Sequence, residues 1–549
     1  MRITCDRQTR ELPENSTVEE CLRAFGYAER SAIAAMRNHT VAELGDRISG
    51  DVSLHPLTIA DEEGRRIYER SLRFVMLLAI SRLYPGQRVR IEYSVAQGVY
   101  VRLPGMMVNS RTVRGIAAAM RAIIDEDLPF EKRVWNLTDA MRYFEVNGQQ
   151  DKVELLRTRP YTTFTMYRCG EMWEYFYGAM APSTGYVTVF DLVMMSTGFV
   201  LQLPDPESPS EPAPYVDRPK HLHVFDQSRR WCSILGAENT ADLHRLIGAG
   251  DFRTFIRVNE TFHEQAIHEI ARDIVASGHR VVFVAGPSSS GKTTFAGRLA
   301  VHLRVLGRRA FRVSLDDYYI DRDKLPLEAD GTLDLETLHA LDLPLLQAQV
   351  NALLHGETVN LPRFSFKTGK REPEGHPFHL GHNELVIFEG IHGLNPLLSA
   401  GIPEEEIHRV FVSALTCLNL DDHNRIRTTD VRLLRRIVRD YHFRNTPPEK
   451  TLAMWPSVRR GEEQWVFPCQ EMADSMFNTA LHYELPILRH YAYDMLDRVQ
   501  EDCEGYVLAR RLMKMLHYVP DISESLLNEI PPLSLLREFI GGCTMEEMG

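Results

Sequence analysis

The sequence predicts an α/β chain built around a doubly wound parallel sheet, preceded by two smaller units that mix helices and strands. Three observations carry this. Residues 281–294, VVFVAGPSSSGKTT, set a short β-branched apolar run before a glycine-bounded loop, and such a run reads as a buried parallel strand. Strand-like runs at Ala310–Leu315, Leu385–Phe388 and Val410–Val412 then alternate with helical patterns. That is the order of a sheet covered on both faces, with its ligand crevice at the carboxyl ends of the strands. Residues 203–214, LPDPESPSEPAP, are rich in proline, serine and acid and read as an extended linker.

The elements follow in chain order. Residues 1–60 open with alternation over Arg2–Cys5. A Ser/Thr-x-x-Glu spacing at Ser16–Glu19 then predicts a capped helix in a small α+β unit. Residues 61–202 form the second unit: a long helix from Asp61, with Leu72, Val75, Met76 and Ile80 on one face, and a hairpin where Gly185–Leu203 breaks at Ser196-Thr197-Gly198. The linker covers 203–217. A helical connector fills 218–279, with helical periodicity over 257–277. The loop-bearing unit spans 280–500, its first helix over Phe295–Leu306, and a helical segment fills 501–549.

At 549 residues the chain is too long for one core. Its 44% hydrophobic and 25% charged residues are those of ordinary globular protein, and a formal charge of −12 argues against a broad non-specific nucleic-acid footprint. The eight cysteines form no C-x-x-C pair and read as reduced thiols. No basic stretch followed by an apolar core opens the chain, and the apolar run Phe74–Ile80 is too short to span a bilayer. A cytoplasmic location without membrane contact is the expectation.

Gly286-Pro287-Ser288-Ser289-Ser290-Gly291-Lys292-Thr293 matches G-x-x-x-x-G-K-[ST] at every fixed position. In such a loop backbone N–H groups turn inward around a polyphosphate, the lysine adds a point charge and the hydroxyl of Thr293 serves Mg²⁺. Thr294 continues the loop into the helix, whose N-terminus also favours an anion. Asp316 follows the next strand, where a carboxylate can take a proton from an attacking hydroxyl or hold Mg²⁺ through water; a helix N-cap is the plainer reading. Glu389 follows four apolar residues, the position of an acid that holds Mg²⁺ at the phosphates. Arg432, Arg436 and Arg439 share a helical face in DVRLLRRIVRDYHFR and could form a mobile lid over a transferring phosphoryl group, although arginine faces are as a rule solvated or salt-bridged. His263-Glu264 and His268 mimic a zinc motif, but histidines five apart lie roughly 140° around a helix and cannot share the metal.

GPSSSGKTT, SLDDYY, the P-x-F-x-F of Pro362–Phe366, FEGIHGLN and the arginine-rich run Asp430–Asp440 together resemble the uridine kinase and phosphoribulokinase family over about residues 280–495. The resemblance implies an ATP- and Mg²⁺-dependent kinase acting on a small-molecule, nucleoside-like hydroxyl. It makes Asp316 the general base, Glu389 and Thr293 the Mg²⁺ residues, and Arg436, Arg439 and Arg444 phosphate contacts. Two departures concern the acceptor and the lid. Gly369 stands where that family places a base-reading histidine, and Thr446 replaces a further lid arginine. Losing a base-reading donor removes discrimination between bases.

Residues 1–60 resemble the TGS domain, a β-grasp module of threonyl-tRNA synthetases. Asp61–Ser71 and Pro182-Ser183-Thr184-Gly185 resemble their editing-type domain. The four positions that carry His and Cys there hold Arg70, Phe74, Phe176 and Met180, none a usable zinc ligand, so the editing chemistry is expected to be absent. An RNA or a protein is the candidate partner of this half, and self-association is left open. A nucleotide-gated binding protein and an ATPase without acceptor are the competing readings.

Overall fold

In the computed structural model, which describes residues 1–95, 97–159, 161–195, 197–325 and 336–545, five strands of the second half lie side by side and run the same way. Their spatial order is Arg309–Ser314, Glu384–Glu389, Val281–Ala285, Ile407–Ser413 and Ser475–Asn478, so the first strand in sequence is central. Val282 and Val284 pack with the helices Phe252–Ser277 and Lys292–Val305, while Val281 and Phe283 pack with the helix Leu343–Leu354 on the other face. This two-residue alternation is what double winding requires, and it explains why all five residues of the central strand are buried. In register, Glu389 pairs with both Val284 and Ser314. Three strands therefore end at one level and open a common crevice.

The loop helix starts at Lys292, three residues before the first apolar position, because its polar first turn is part of the loop. The edge strand Ser475–Asn478 is a further element that the apolar pattern did not indicate; only four residues long, it has two half-buried positions.

Residues 1–57 form a five-stranded sheet in the order Gln8–Glu11, Arg2–Cys5, Val52–Leu57, Ala34–Arg37, Thr40–Ala42, with Arg2–Cys5 and Val52–Leu57 parallel. The helix Val18–Ala24 packs on it. Its cap is reciprocal: the Glu20 N–H donates to Thr17 Oγ1 at 3.2 Å and the Thr17 N–H to Glu20 Oε2 at 2.7 Å. The second unit combines the helix Glu62–Leu83, a four-stranded and a three-stranded antiparallel sheet. Its expected hairpin pairs Asp191–Met195 with Gly198–Gln202; Ser196 at the turn lies outside the described residues.

The proline-rich stretch is not extended. The Ala213 N–H donates to the Leu203 carbonyl at 2.8 Å and the Asp205 N–H to the Glu211 carbonyl at 2.9 Å, folding the segment back on itself with Ala213 buried. Pro204 and Pro212 lack donors, but the amides beside them supply the closing bonds. The C-terminal segment is helical over Tyr506–Leu516. Beyond Pro520 its described residues keep only the short turns Glu524–Leu527 and Arg537–Ile540, with Pro531 and Pro532 between them.

Ion pairs join the two halves. Glu69 of the long helix meets Arg427 at 2.5 Å; Asp430, which opens the arginine-rich run, meets Arg66 at 3.6 Å and Arg511 at 3.0 Å. Buried Lys152 lies 3.0 Å from Glu174 and 2.7 Å from His423 Nδ1. Among the described residues no helix is long and apolar enough to cross a membrane.

Candidate active site

The phosphate loop turns at Ser289 (φ 58°) and Gly291 (φ 86°), both left-handed, a conformation that Gly291 adopts without steric cost. Successive amides thereby face one concavity. Phe295 closes the first helical turn on the Gly291 carbonyl at 3.0 Å, and the N–H groups of Lys292, Thr293 and Thr294 precede that bond. The hydroxyls of buried Ser289 and Ser290 have no hydrogen-bond partner among the described residues, a donor set that fits phosphate oxygens. Lys292 Nζ folds back onto the carbonyls of Gly286 and Pro287 at 3.0 and 3.2 Å. Desolvation lowers its pKa against the pull of Glu389, Glu538, Asp316 and Glu462.

Thr293 Oγ1 donates to Glu389 Oε1 at 3.2 Å. Burial pushes the Glu389 carboxyl up to about 7; Lys292 opposes this, and Asp316 and Glu538 add to it. Asp316 sits in the short turn Leu315–Tyr318, where its N–H donates to Ser314 Oγ at 3.3 Å. Burial raises its pKa too, with Lys292 opposing and Asp317 adding. The structure thus gathers Lys292, Thr293, Glu389 and Asp316 at the shared strand ends. One hydroxyl with one or two carboxylates suits Mg²⁺, which takes its other oxygens from water and phosphate.

The arginine helix, Thr428–Phe443, is not a lid on the surface. Arg432 and Arg435 are 1% and 0% exposed. Arg432 donates to the Ser288 carbonyl at 2.9 Å and pairs with Glu462; Arg435 meets Glu484 at 2.6 Å and the Thr479 carbonyl at 2.8 Å. They brace the loop from behind, because burying a guanidinium demands a carboxylate and further acceptors, and both are supplied here. Arg436 donates to Ser288 Oγ at 2.7 Å. Arg436, Arg439 and the more exposed Arg444 all reach Asp440, at 3.3, 2.8 and 3.7 Å.

Three acids escaped sequence reasoning. Glu462, 1% exposed, accepts the Ser288 N–H at 2.8 Å. Glu336, beside Arg436, Glu462, Lys292 and Asp316, has a carboxyl pushed up to about 7 by burial. Glu538 accepts from Thr294. None stands in a recognisable motif. Asp440, by contrast, closes the arginine-rich run, and its i, i+4 spacing from Arg436 was a readable signal for that pair.

Beside Asp317, Tyr319, Phe364 and Phe366 cluster with ring centroids 5.4–6.1 Å apart, and the Phe364 N–H donates to Asp317 Oδ1 at 3.1 Å. Gly369 has φ 69°, and a Cβ there would stand 2.6 Å from Arg322 Cδ. A side chain at this position would be strained at that φ and would have to displace Arg322. In the second unit the four editing-type positions are filled. Phe74 and Phe176 pack at 5.6 Å, Met180 is buried and Arg70 Nη1 donates to the Ala179 carbonyl.

Residues 281–402 match the Phosphoribulokinase / Uridine kinase family model. A uridine kinase of Lactobacillus helveticus is 29% identical over 195 residues, 35% of this chain and 83% of that protein. A threonine–tRNA ligase of Carboxydothermus hydrogenoformans is 29% identical over 197 residues, 35% of this chain and 31% of the ligase. The chain thus spans less than a third of the length of that ligase. A solved structure named a "Possible Uridine Kinase" from Bacillus stearothermophilus shares 18% identity and covers 39% of this chain and 98% of its own, at a TM-score of 0.27. Residues 281–402 are therefore a phosphoribulokinase/uridine kinase family domain, carried on a chain whose N-terminal region matches threonine–tRNA ligases.

Proposed function

We propose that this protein transfers the γ-phosphate of ATP to a hydroxyl of a small molecule, with nucleosides such as uridine and cytidine as the first acceptor class. The observation that carries this is the contact of Thr293 with Glu389 at strand ends shared with Ser314 and Asp316. In the reaction Asp316 takes the proton of the acceptor hydroxyl, and the oxygen attacks the γ-phosphorus as the bond to the β–γ bridging oxygen breaks and ADP leaves. Lys292 and the loop amides hold the β- and γ-phosphates. Thr293 and Glu389, with Asp316 through water, would hold Mg²⁺, which supplies charge neutralisation when bound. Arg436, Arg439 and Arg444 face the developing charge once they release Asp440.

Residues 1–60 are read as a β-grasp module and 61–202 as an editing-type shell without editing chemistry. The ion pairs of Arg66 and Glu69 to the arginine helix and the loop before it support a regulatory task for this half, and a cytoplasmic setting suits both halves. Transfer of label from γ-labelled ATP across nucleosides, sugar phosphates and small alcohols tests the activity. Label in uridine or cytidine identifies the acceptor class, and label released only as phosphate defeats the transferase reading. A gel shift with total tRNA at two salt concentrations tests RNA as the regulatory partner, since phosphate contacts weaken steeply with salt.

A further inference from the structure

We propose that the C-terminal segment Pro531–Met545 is a tethered competitor for the phosphate cradle, which a nucleotide must displace to bind. The proposal rests on the reading that the loop takes a nucleoside triphosphate.

The first-turn amides of the loop helix attract an anion, and the anion at Thr294 is supplied by the chain itself. Glu538 Oε2 accepts the Thr294 N–H at 3.1 Å and the Thr294 hydroxyl at 2.9 Å. The same carboxylate acts on Lys292 and on Glu389, which places it among the charges of the site. It does not reach there on a loose end. Leu535, Leu536 and Phe539 are fully buried. Leu535 Cδ2 lies 3.7 Å from the point where a Cβ on Gly291 would stand, against the loop itself. Ser534 Oγ meets the Tyr483 hydroxyl at 3.0 Å, and Arg435, the arginine that braces the loop from behind, lies over the Phe539 ring at 5.0 Å. Farther along, the Met545 carbonyl accepts from Arg312 at 3.2 Å. The segment therefore straps across the N-terminal turn of the loop helix, from Tyr483 to Arg312.

One N–H cannot serve a phosphate oxygen and a carboxylate oxygen together, and the two anions repel each other in a site that already holds Glu389, Asp316 and Glu462. Phosphate binding and strap docking therefore exclude each other. The cradle is competent only in the fraction of molecules with the strap released, and the apparent nucleotide affinity is reduced by that fraction.

The test uses the full chain. Titration calorimetry with ATP and Mg²⁺ is run on the unmutated protein and on Glu538→Gln, which keeps the packing and removes the charge. Hydrogen exchange of residues 531–545 is followed with and without ATP. Glu538→Gln is expected to bind ATP about tenfold more tightly, the worth of one charge-assisted bond, and ATP is expected to speed exchange in 531–545 of the unmutated chain. The exchange measurement needs no substitution, and a purely repulsive carboxylate on a strap that stays docked would leave it unchanged. Affinity in Glu538→Gln equal to or weaker than that of the unmutated protein overturns the proposal, and so does unchanged or slowed exchange in 531–545 on adding ATP. Failure of both proteins to bind ATP overturns the donor reading and the strap with it.

Discussion

Replacing Asp316 by Asn separates proton transfer from phosphate binding. The substitution keeps the shape of the side chain and leaves the bond from the residue 316 N–H to Ser314 Oγ intact. It removes only the capacity to take a proton and one negative charge that acts on Lys292. Loss of a general base lowers turnover by about 10²–10⁴-fold, which is roughly 3–5 kcal/mol of transition-state free energy. Nucleotide affinity should hold or rise, because the lost charge was one that a polyphosphate had to approach. The assay is single-acceptor label transfer at saturating ATP and acceptor, paired with calorimetric titration of ATP on the same preparation. Turnover within about threefold of the unmutated enzyme would remove Asp316 from the base role. A fall in nucleotide affinity that accounts for the whole loss of turnover would instead make it a binding residue.

Lys292→Met should behave in the opposite way, weakening ATP binding as well as cutting turnover by roughly a hundredfold or more, as the same two assays would reveal. At the junction of the halves, Lys152→Met leaves the buried Glu174 carboxylate without its ammonium, although His423 stays beside it. Urea unfolding should show a loss of about 3–5 kcal/mol. Burial raises the Glu174 pKa, but Lys152 and His423 outweigh it and hold the carboxyl at about 2, below its ordinary value of 4.5. The stability this contributes is present above pH 4.5 and is lost as pH falls toward 2, so the urea midpoint should drop across that window in the unmutated protein and drop less in Lys152→Met.

What could be read from the sequence was whatever a short local spacing determines. The loop, the apolar strand before it and Glu389 after four apolar residues are such cases, because strand period and loop length fix them within a dozen positions. Helical spacing put Arg432, Arg436 and Arg439 on one face, but a spacing does not say what the face meets. The arginine pattern allowed a solvated or a salt-bridged face, and the choice of the second for Arg432 depends on Glu462 and the Ser288 carbonyl, the latter far away in sequence. Glu538 is the extreme case: it meets Thr294 across 244 positions with no motif around it. The filled editing-type shell was half legible. The absence of ligands at Arg70, Phe74, Phe176 and Met180 could be read directly, whereas the ring packing of Phe74 on Phe176 and the bond of Arg70 to the Ala179 carbonyl could not.

These long-range contacts bear on how the site would work. Its cations are already engaged: Arg436, Arg439 and Arg444 lean on Asp440, Arg432 on Glu462, and Lys292 on two loop carbonyls with four carboxylates acting on it. A polyphosphate entering this crevice gains little by adding charge to an acid-rich site. It gains when it takes over partners that the chain's own acids now hold. Exchange of Glu538 for phosphate at Thr294 and release of Asp440 by the arginines are the same kind of event, one anion replacing another on a fixed donor. Asp430 anchors the start of the arginine helix to Arg66 and Arg511, while Asp440 pairs with Arg436, Arg439 and Arg444 within the helix and its C-terminal end. A partner that shifts the long helix Glu62–Leu83 would therefore reach the arginine helix only through the pair of Arg66 with Asp430.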